Sequence, residues 1–175
     1  MRFRSSVEFI VGAIERSLNE VDENGIEEEI LKANRIMIYG VGRSGLVARS
    51  FATRLMHLGL ETYMIGETVS PPIEGGDVVI LISGSGRTNS VLRVGELAKE
   101  IGAKAIALTS NENSPIYKMA DLRVILRVGI DRELAPLGTI FEDSAQIFLD
   151  GLVAELMGDL DESEDSMSAR HATLE

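Results

Sequence analysis

The sequence contains no cysteine and no tryptophan, and its only histidines are His57 and His171. A chain without cysteine forms no disulfide, has no thiolate metal site and offers no cysteine nucleophile. Zinc centres commonly take several histidines, so we expect no multi-histidine zinc site here. Any catalysis must therefore depend on carboxylates, hydroxyls, guanidinium groups and the two imidazoles.

Positive charge and long apolar runs are also scarce. The sequence has 17 Lys and Arg against 28 Asp and Glu, a formal net charge of -11. Nucleic acids and anionic membranes are bound through clustered Lys and Arg, so we expect neither as a partner. No apolar run is long enough to span a bilayer, and residues 1–5 lack the apolar segment of a secretory signal. The sequence predicts a cytoplasmic protein.

Short aliphatic runs that alternate with helical patterns make up most of the 175 residues. This alternation predicts a doubly wound α/β domain with a parallel sheet and an aliphatic core. The strands are predicted at residues 35–39, 62–65, 78–82, 104–108 and 121–126. Within a single domain overall, we distinguish N-terminal helices that cover the sheet (1–34), the α/β domain itself (35–158) and an acidic tail (159–175).

The chain is organised around residues 77–90. Val78 to Ile82 form an apolar run without polar alternation, typical of a strand buried on both faces. It passes through Ser83-Gly84-Ser85-Gly86-Arg87-Thr88 into a helical pattern. Backbone N–H groups at such a helix start, with hydroxyls and a guanidinium added, suit a phosphate monoester. The alternative, a flexible Gly/Ser turn, stays open on this loop alone.

A second glycine loop, Gly40-Val41-Gly42-Arg43-Ser44-Gly45, follows the first predicted strand. It matches the dinucleotide pattern G-x-G-x-x-G, and Glu67 follows near the distance expected of a ribose-binding acid. Against that alternative, no separate substrate domain is present, and Arg43 and Ser44 suit a compact phosphate better. Glu67 is either a loop cap or an acceptor for a sugar hydroxyl. Two such loops at neighbouring strand ends would converge on one crevice.

His57 has a structural interpretation, and Glu142 has both a structural and a functional one. His57 lies in the last turn of a predicted helix, where it would bond to the helix end and be favoured by the dipole. Glu142 fits a capping box in Thr139-Ile140-Phe141-Glu142. It is also well placed as a general base, with a pKa lowered by the helix dipole.

The last long helix and the tail carry two further expectations. The helix predicted at residues 139–157 is apolar on more sides than one sheet face requires, which predicts a homo-oligomer. The acidic run from Asp159 predicts disorder. Only the closing residues, 170–175, suggest a further role.

Several motifs together resemble the 6-phospho-3-hexuloisomerase family, whose members are stand-alone sugar isomerase (SIS) domains. The resemblance extends from Ile36 onward and includes a closing Arg-His-Ala-x-Leu. The motifs are Gly40-Val41-Gly42-Arg43-Ser44-Gly45, Arg54-Leu55-Met56-His57-Leu58-Gly59, Gly66-Glu67-Thr68, Ser83-Gly84-Ser85-Gly86-Arg87-Thr88 and Pro136-Leu137-Gly138-Thr139-Ile140-Phe141-Glu142.

This resemblance implies a three-layer α/β/α sandwich with a five-stranded parallel sheet, similar to flavodoxin and Rossmann folds. It implies that the chain interconverts D-arabino-hex-3-ulose 6-phosphate and D-fructose 6-phosphate through an enediolate, in the ribulose monophosphate pathway of formaldehyde assimilation. The implied partner is a phosphorylated ketohexose, without metal or other cofactor, and the implied assembly is a tetramer. Similar domains also serve as non-catalytic sugar-phosphate sensors, and that alternative stays open.

The resemblance also implies residue roles. Glu142 would be the base, and His57 and His171 would handle protons at oxygen. The phosphate would lie among the hydroxyls of Ser44, Ser83, Ser85 and Thr88, with the amides of Gly84 and Gly86. Arg43 would face the substrate, and the remaining expected substrate contacts are Gly42, Glu67 and Arg87.

Overall fold

A computed structural model describes residues 2–22, 25–129 and 131–173. Five parallel strands form one sheet in the order β2-β1-β3-β4-β5. This is the strand order of flavodoxin-like folds. The predicted parallel α/β fold is confirmed, and each strand lies within two residues of its expected position. The strands are β1 (Ile36–Gly40), β2 (Thr62–Met64), β3 (Val78–Ile82), β4 (Lys104–Thr109) and β5 (Leu122–Ile125).

Helices cover both faces of the sheet and complete a three-layer sandwich. Helices α2, α3 and α6 share a core with one face, whereas α4 and α5 pack on the other. Helix α1 packs against the outside of α6. The helices are α1 (Arg2–Asn19), α2 (Ile26–Lys32), α3 (Gly42–His57), α4 (Asn89–Ile101), α5 (Pro115–Met119), α6 (Thr139–Asp159) and α7 (Glu164–Ala169).

Strand β3 lies at the centre of the molecule, as its unbroken apolar sequence predicts. Ile80 and Ile82 belong to the core on one face, while Val79 and Leu81 belong to the core on the other. The strand order reverses between β1 and β3, which is where ligands bind in such sheets. Gly40 pairs directly with Ile82, so the loops that follow these two residues begin side by side.

Helix α6 differs from expectation in what covers it. Most of its apolar residues are buried within the same chain, against α1, α2 and α3, while Ile147 is 49% exposed. Intramolecular helices account for most of the apolar surplus, so this helix gives little support to the homo-oligomer, which stays a prediction. Large apolar side chains are also exposed on α1, at Phe3, Val7 and Val11.

The acidic tail contains a helix where disorder was expected. Ser163 caps α7 and accepts a hydrogen bond from Ser166 N at 3.2 Å. Arg170 pairs with Glu162 at 2.8 Å and donates to the His57 carbonyl at 2.9 Å. A cap, an apolar contact through Met167 and one basic residue thus dock the segment on the end of α3. Disorder was expected because the acidic composition does not report these three local interactions.

Across the residues that the structure describes, no helix combines the length and apolar character needed to cross a membrane.

Candidate active site

A cavity of about 590 Å³ opens at the carboxyl edge of the sheet. It lies where the loops after β1, β3 and β4 meet the start of α6. Its lining includes six of the residues predicted from sequence, namely Ser44, Ser83, Gly84, Ser85, Thr88 and Glu142. The other lining residues are Ser110, Asn111, Val128, Gly129, Ala135, Leu137, Gly138, Ile140 and Phe141.

The loop after β3 is held together by its own hydroxyls. Ser83 Oγ lies 3.3 Å from Thr88 Oγ1 and accepts a hydrogen bond from Gly86 N at 3.2 Å. The Gly86 amide also donates to the Ser83 carbonyl, so it serves the loop and does not line the cavity. Gly86 has a φ of 61° and packs against the Ser114 side chain, which reserves this position for glycine.

Close packing and backbone conformation account for the glycines of the loop after β1. A Cβ at Gly45 would lie 2.8 Å from the Gly40 carbonyl oxygen, and Gly42 has a φ of 61°. These glycines let β1 turn sharply into α3 and bring Ser44 to the cavity. Gly42 itself is not part of the lining. Glu67 also lies outside it and forms an ion pair with Arg49 on α3.

Three helices begin at the cavity: α3, α4 and α6. Their N-cap residues, Val41, Thr88 and Gly138, make no side-chain capping hydrogen bond. The first N–H groups of a helix have no intrahelical acceptor, and the helix dipole favours negative charge at that end. Together they form a site suited to an anion. The sequence analysis assigned anion binding to the starts of α3 and α4. It did not assign that role to the start of α6, which joins them because α6 packs against the loops.

The loop after β4 contributes Ser110 and Asn111, which were not among the site residues predicted from sequence. Ser110 Oγ donates to the Gly84 carbonyl at 2.8 Å, and Asn111 Nδ2 donates to the Ser85 carbonyl at 3.3 Å. The rule that places ligands at strand ends could have identified both residues, because they follow a strand in the same sheet.

Glu142 lies in the first turn of α6 with its side chain largely buried. Its Oε2 atom is 3.3 Å from Arg43 Nε and accepts no hydrogen bond within the described residues. Burial raises the pKa of the Glu142 carboxyl above its usual value, and Asp143 adds to this while Arg43 opposes it. The predicted lowering of this pKa by the helix dipole was therefore wrong, because desolvation dominates.

The predicted capping box at Glu142 is also absent. The N-cap residue is Gly138, one position earlier than expected, and it has no side chain to take part. The Thr139 hydroxyl donates instead to the Pro136 carbonyl at 2.7 Å. The Glu142 carboxylate folds back over Gly138, where a Cβ would lie 2.7 Å from Oε1. The carboxylate thus faces the cavity and does not close the helix end.

The two arginines that were predicted as site residues lie at different distances from the Glu142 carboxylate. Arg43 borders it, with Nη1 donating to Thr139 Oγ1 at 3.3 Å and Nη2 lying 3.5 Å from Asp143 Oδ1. Its side chain is half exposed, whereas that of Glu142 is largely buried. Arg87 is exposed and does not belong to the cavity lining.

The histidines occupy a different part of the molecule. His57 is the last residue of α3 and is 3% exposed, and its ring stacks on His171 with centroids 4.8 Å apart. They line a second cavity of about 350 Å³. At 1.5 Å per residue, His57 lies about 20 Å along α3 from Ser44. The structure therefore does not bring the histidines to Glu142 within one chain.

No group of three or more metal-ligating side chains occurs within residues 2–22, 25–129 and 131–173.

Comparisons with known proteins identify the family and agree with the fold. A family model for the SIS domain matches residues 29–145. The chain is 48% identical to the 3-hexulose-6-phosphate isomerase of Methanocaldococcus jannaschii, across 84% of this chain and 81% of that one. It is 38% identical to the enzyme of the same name from Bacillus subtilis, across 91% and 89% of the two chains.

A solved structure gives the same result. It is a Methanococcus jannaschii protein whose crystal structure infers a function of 3-hexulose-6-phosphate isomerase. That protein is 40% identical, superposes with a TM-score of 0.88, and the match covers all of both chains.

Proposed function

The chain belongs to the SIS domain family, and from that membership we propose that it is a sugar phosphate isomerase acting as a 6-phospho-3-hexuloisomerase. It interconverts D-arabino-hex-3-ulose 6-phosphate and D-fructose 6-phosphate. The observation that carries the proposal is the joint presence, in one cavity, of a hydroxyl-lined anion cradle and a buried carboxylate. Relatives that bear the isomerase name support the choice of substrate.

The phosphate is bound by the helix starts and hydroxyls on the sheet side of the cavity. Ser44, Ser83, Ser85 and Thr88 line this part. A phosphate there leaves the sugar to extend towards α6, where Glu142 lies. Binding energy gained at the non-reacting phosphate positions the reacting carbons against the base.

Glu142 is the base that moves the proton. Shifting a carbonyl between adjacent carbons requires removal of the C–H proton next to it, which forms an enediolate, and return of that proton to the other carbon. One carboxylate performs both steps, and a raised pKa improves both because the group must accept and then release a proton. The pKa of Glu142 is raised by burial.

Arg43 stabilises the negative charge of the enediolate. Its guanidinium lies beside Glu142. A donor held close to the base is well placed for the oxygen on which negative charge develops. The same positive charge favours the ionised form of Glu142, which is the form that acts as a base.

The histidines act in a neighbouring subunit, if they act on the substrate. Their distance from the chain's own cavity leaves only the cavity of another copy. We therefore keep a homo-oligomer, a tetramer by family resemblance, as part of the proposal. The exposed apolar residues of α1 are a suitable surface for its contacts. In the cell the reaction would belong to the ribulose monophosphate route of formaldehyde assimilation, or to its reverse, in the cytoplasm.

The direct test is proton exchange. D-fructose 6-phosphate is incubated with the protein in D2O without added metal, and deuterium incorporation and the 3-ketose are followed by NMR. We expect both in the wild-type protein and a loss of at least about 100-fold in Glu142→Gln, because the amide cannot accept the proton. Asp150→Asn, an equally conservative change on the exposed side of α6, is the matched control.

Other outcomes separate the alternatives. Absence of exchange together with thermal stabilisation by fructose 6-phosphate would support a sugar-phosphate sensor, in which Glu142→Gln leaves affinity intact. Stabilisation by NAD or ATP alone would support the dinucleotide alternative and contradict the proposal.

A further inference from the structure

We infer that Thr109 and Ser110, at the end of β4, are positioning residues that aim the Ser85 N–H group at the phosphate of the substrate. The inference rests on the proposed phosphate binding and concerns how the cradle is held in its binding conformation. Neither residue needs to touch the substrate for this role.

The starting observation is the crowding of donors on one carbonyl. The Gly84 carbonyl oxygen accepts three hydrogen bonds, from Ser110 Oγ at 2.8 Å, Ser110 N at 3.1 Å and Thr109 Oγ1 at 3.1 Å. Thr109 is fully buried, so its hydroxyl has little alternative to this acceptor. The carbonyl is thereby held against the end of β4.

Peptide geometry carries this restraint to the next residue. The peptide unit is planar and trans, so the Gly84 C=O and the Ser85 N–H point in opposite directions. Fixing the carbonyl on β4 therefore fixes the direction of the Ser85 N–H. That N–H has no acceptor within the described residues, and Ser85 lines the cavity. It is a donor that is held in place and available to an anion.

The need for such a restraint follows from Gly84 itself. A Cβ at Gly84 would lie 2.9 Å from Phe141 Cδ1, so the close approach of the loop to α6 requires glycine. Glycine adopts many backbone conformations, and with Gly86 two positions on, the intervening peptide would turn easily. Three hydrogen bonds from β4 restrict that freedom. Rotation of the peptide would break all of them at once.

The test removes two donors and keeps the shape of the site. In Thr109→Val/Ser110→Ala, we expect the dissociation constant for inorganic phosphate to rise about tenfold, since each hydrogen bond contributes a few-fold to an equilibrium. The KM for fructose 6-phosphate should rise in parallel, while kcat changes less than about threefold. Ser110→Ala alone, a milder change, should give a smaller effect of the same kind. Thr53→Val/Ser50→Ala on α3 is the matched control.

An NMR signal separates positioning from a general loss of structure. In 15N-labelled wild-type protein, the Ser85 amide resonance should shift when inorganic phosphate is added. The shift should shrink in the double variant. It should keep its wild-type size in the single variant Thr109→Ser, which retains the hydroxyl.

The two levels of the proposal fail in distinguishable ways. An unchanged phosphate affinity and Ser85 shift in the double variant, with turnover intact, would overturn the positioning role alone. The same holds for a wild-type Ser85 amide that does not respond to phosphate while turnover persists. A wild-type protein that neither binds phosphate nor turns over fructose 6-phosphate would overturn both.

Discussion

Gly138 provides the space in which the Glu142 carboxylate lies. A Cβ at position 138 would be 2.7 Å from Oε1 and 2.9 Å from Oε2, although the φ of -93° suits any residue. In Gly138→Ala the carboxylate must move, and displacement of a catalytic group by about 1 Å costs on the order of 100-fold in rate. We expect kcat to fall by about 10- to 100-fold, measured by the exchange assay.

The matched control for this change lies on the same helix. A Cβ at Gly151 would meet nothing within 4 Å, so Gly151→Ala should keep full activity and raise the free energy of unfolding by about 0.5–1 kcal/mol. Phosphate affinity should stay unchanged in Gly151→Ala. A fully active Gly138→Ala would mean that the carboxylate position seen here is not the catalytic one.

The charges around Glu142 predict opposite shifts of its titration. Arg43 lowers the pKa of Glu142, whereas Asp143 raises it. The base must be ionised, so activity rises with pH through this pKa. Arg43→Gln should therefore move the acid limb of kcat/KM to higher pH, and Asp143→Asn should move it to lower pH. The pH profile of kcat/KM, which reports the free enzyme, measures both shifts.

Shifts in the same direction, or none, would argue against Glu142 as the titrating base. Arg43→Gln should also lower kcat at the pH optimum, because the oxyanion loses a donor. Asp143→Asn lacks that second effect, which separates the two functions of Arg43.

Residues differ in how far their roles were predictable from sequence. Ser83, Ser85 and Thr88 belong to a contiguous loop next to a recognisable strand, so local pattern placed them at a strand end, and the second glycine loop favoured a shared crevice. The raised pKa of Glu142 was missed because it depends on burial by residues distant in sequence. Ser110 was missed because a Thr-Ser-Asn turn has the same appearance whether or not it faces a ligand.

Helix α7 is attached by a pairing that depends on pH. Arg170 lowers the pKa of Glu162 to about 2, with a contribution from Ser166. A carboxylate with a depressed pKa stabilises the folded state above its unfolded pKa, near 4.5, and loses this effect as the pH falls towards 2. We expect α7 to detach in this range before the sheet unfolds, which hydrogen exchange of residues 164–169 would detect.

Glu162→Gln is the control for this transition. It should give rapid exchange in α7 already at pH 7, with little further change on acidification. If α7 and the sheet instead lose protection together, the pairing does not act as a separate attachment.

At the level of elements, periodicity predicted the long helices and strands well, but it did not predict what covers them. Helix α6 was correctly placed, yet its apolar surplus was assigned to another subunit because the N-terminal helices were expected to cover the sheet, whereas α1 packs on α6. Helix α7 was missed since its six residues depend on a cap and a tertiary contact, which outweigh an unfavourable composition.

At the scale of the whole molecule, Glu142 and the pair of stacked histidines are separated by about the length of helix α3. Glu142 lies at the carboxyl edge of the sheet, and the stacked His57 and His171 lie near the opposite end of α3. Phe3 is 84% exposed, and Val7 and Val11 continue the same stripe at intervals of four residues. Only an assembly of several chains could bring one chain's histidines to another chain's cavity, and we propose this stripe as its contact surface.

Mixing two inactive variants tests this arrangement. If His171 serves a neighbour's cavity, Glu142→Gln and His171→Ala are each inactive, but mixed oligomers contain some sites with both residues intact. For random pairing of two chains, half of the pairs are mixed and one of their two sites works, so about a quarter of wild-type activity should return.

The same mixture made with Val7→Glu/Val11→Glu in both chains is the decisive comparison. Charge on the α1 stripe should prevent association and abolish recovery, while the single chains stay folded because these side chains point to solvent. Recovery that persists in this background would place the subunit contact elsewhere. A fully active His171→Ala would remove the histidine from catalysis and leave Glu142 and Arg43 as sufficient, because the proton moves between adjacent carbons on a single carboxylate.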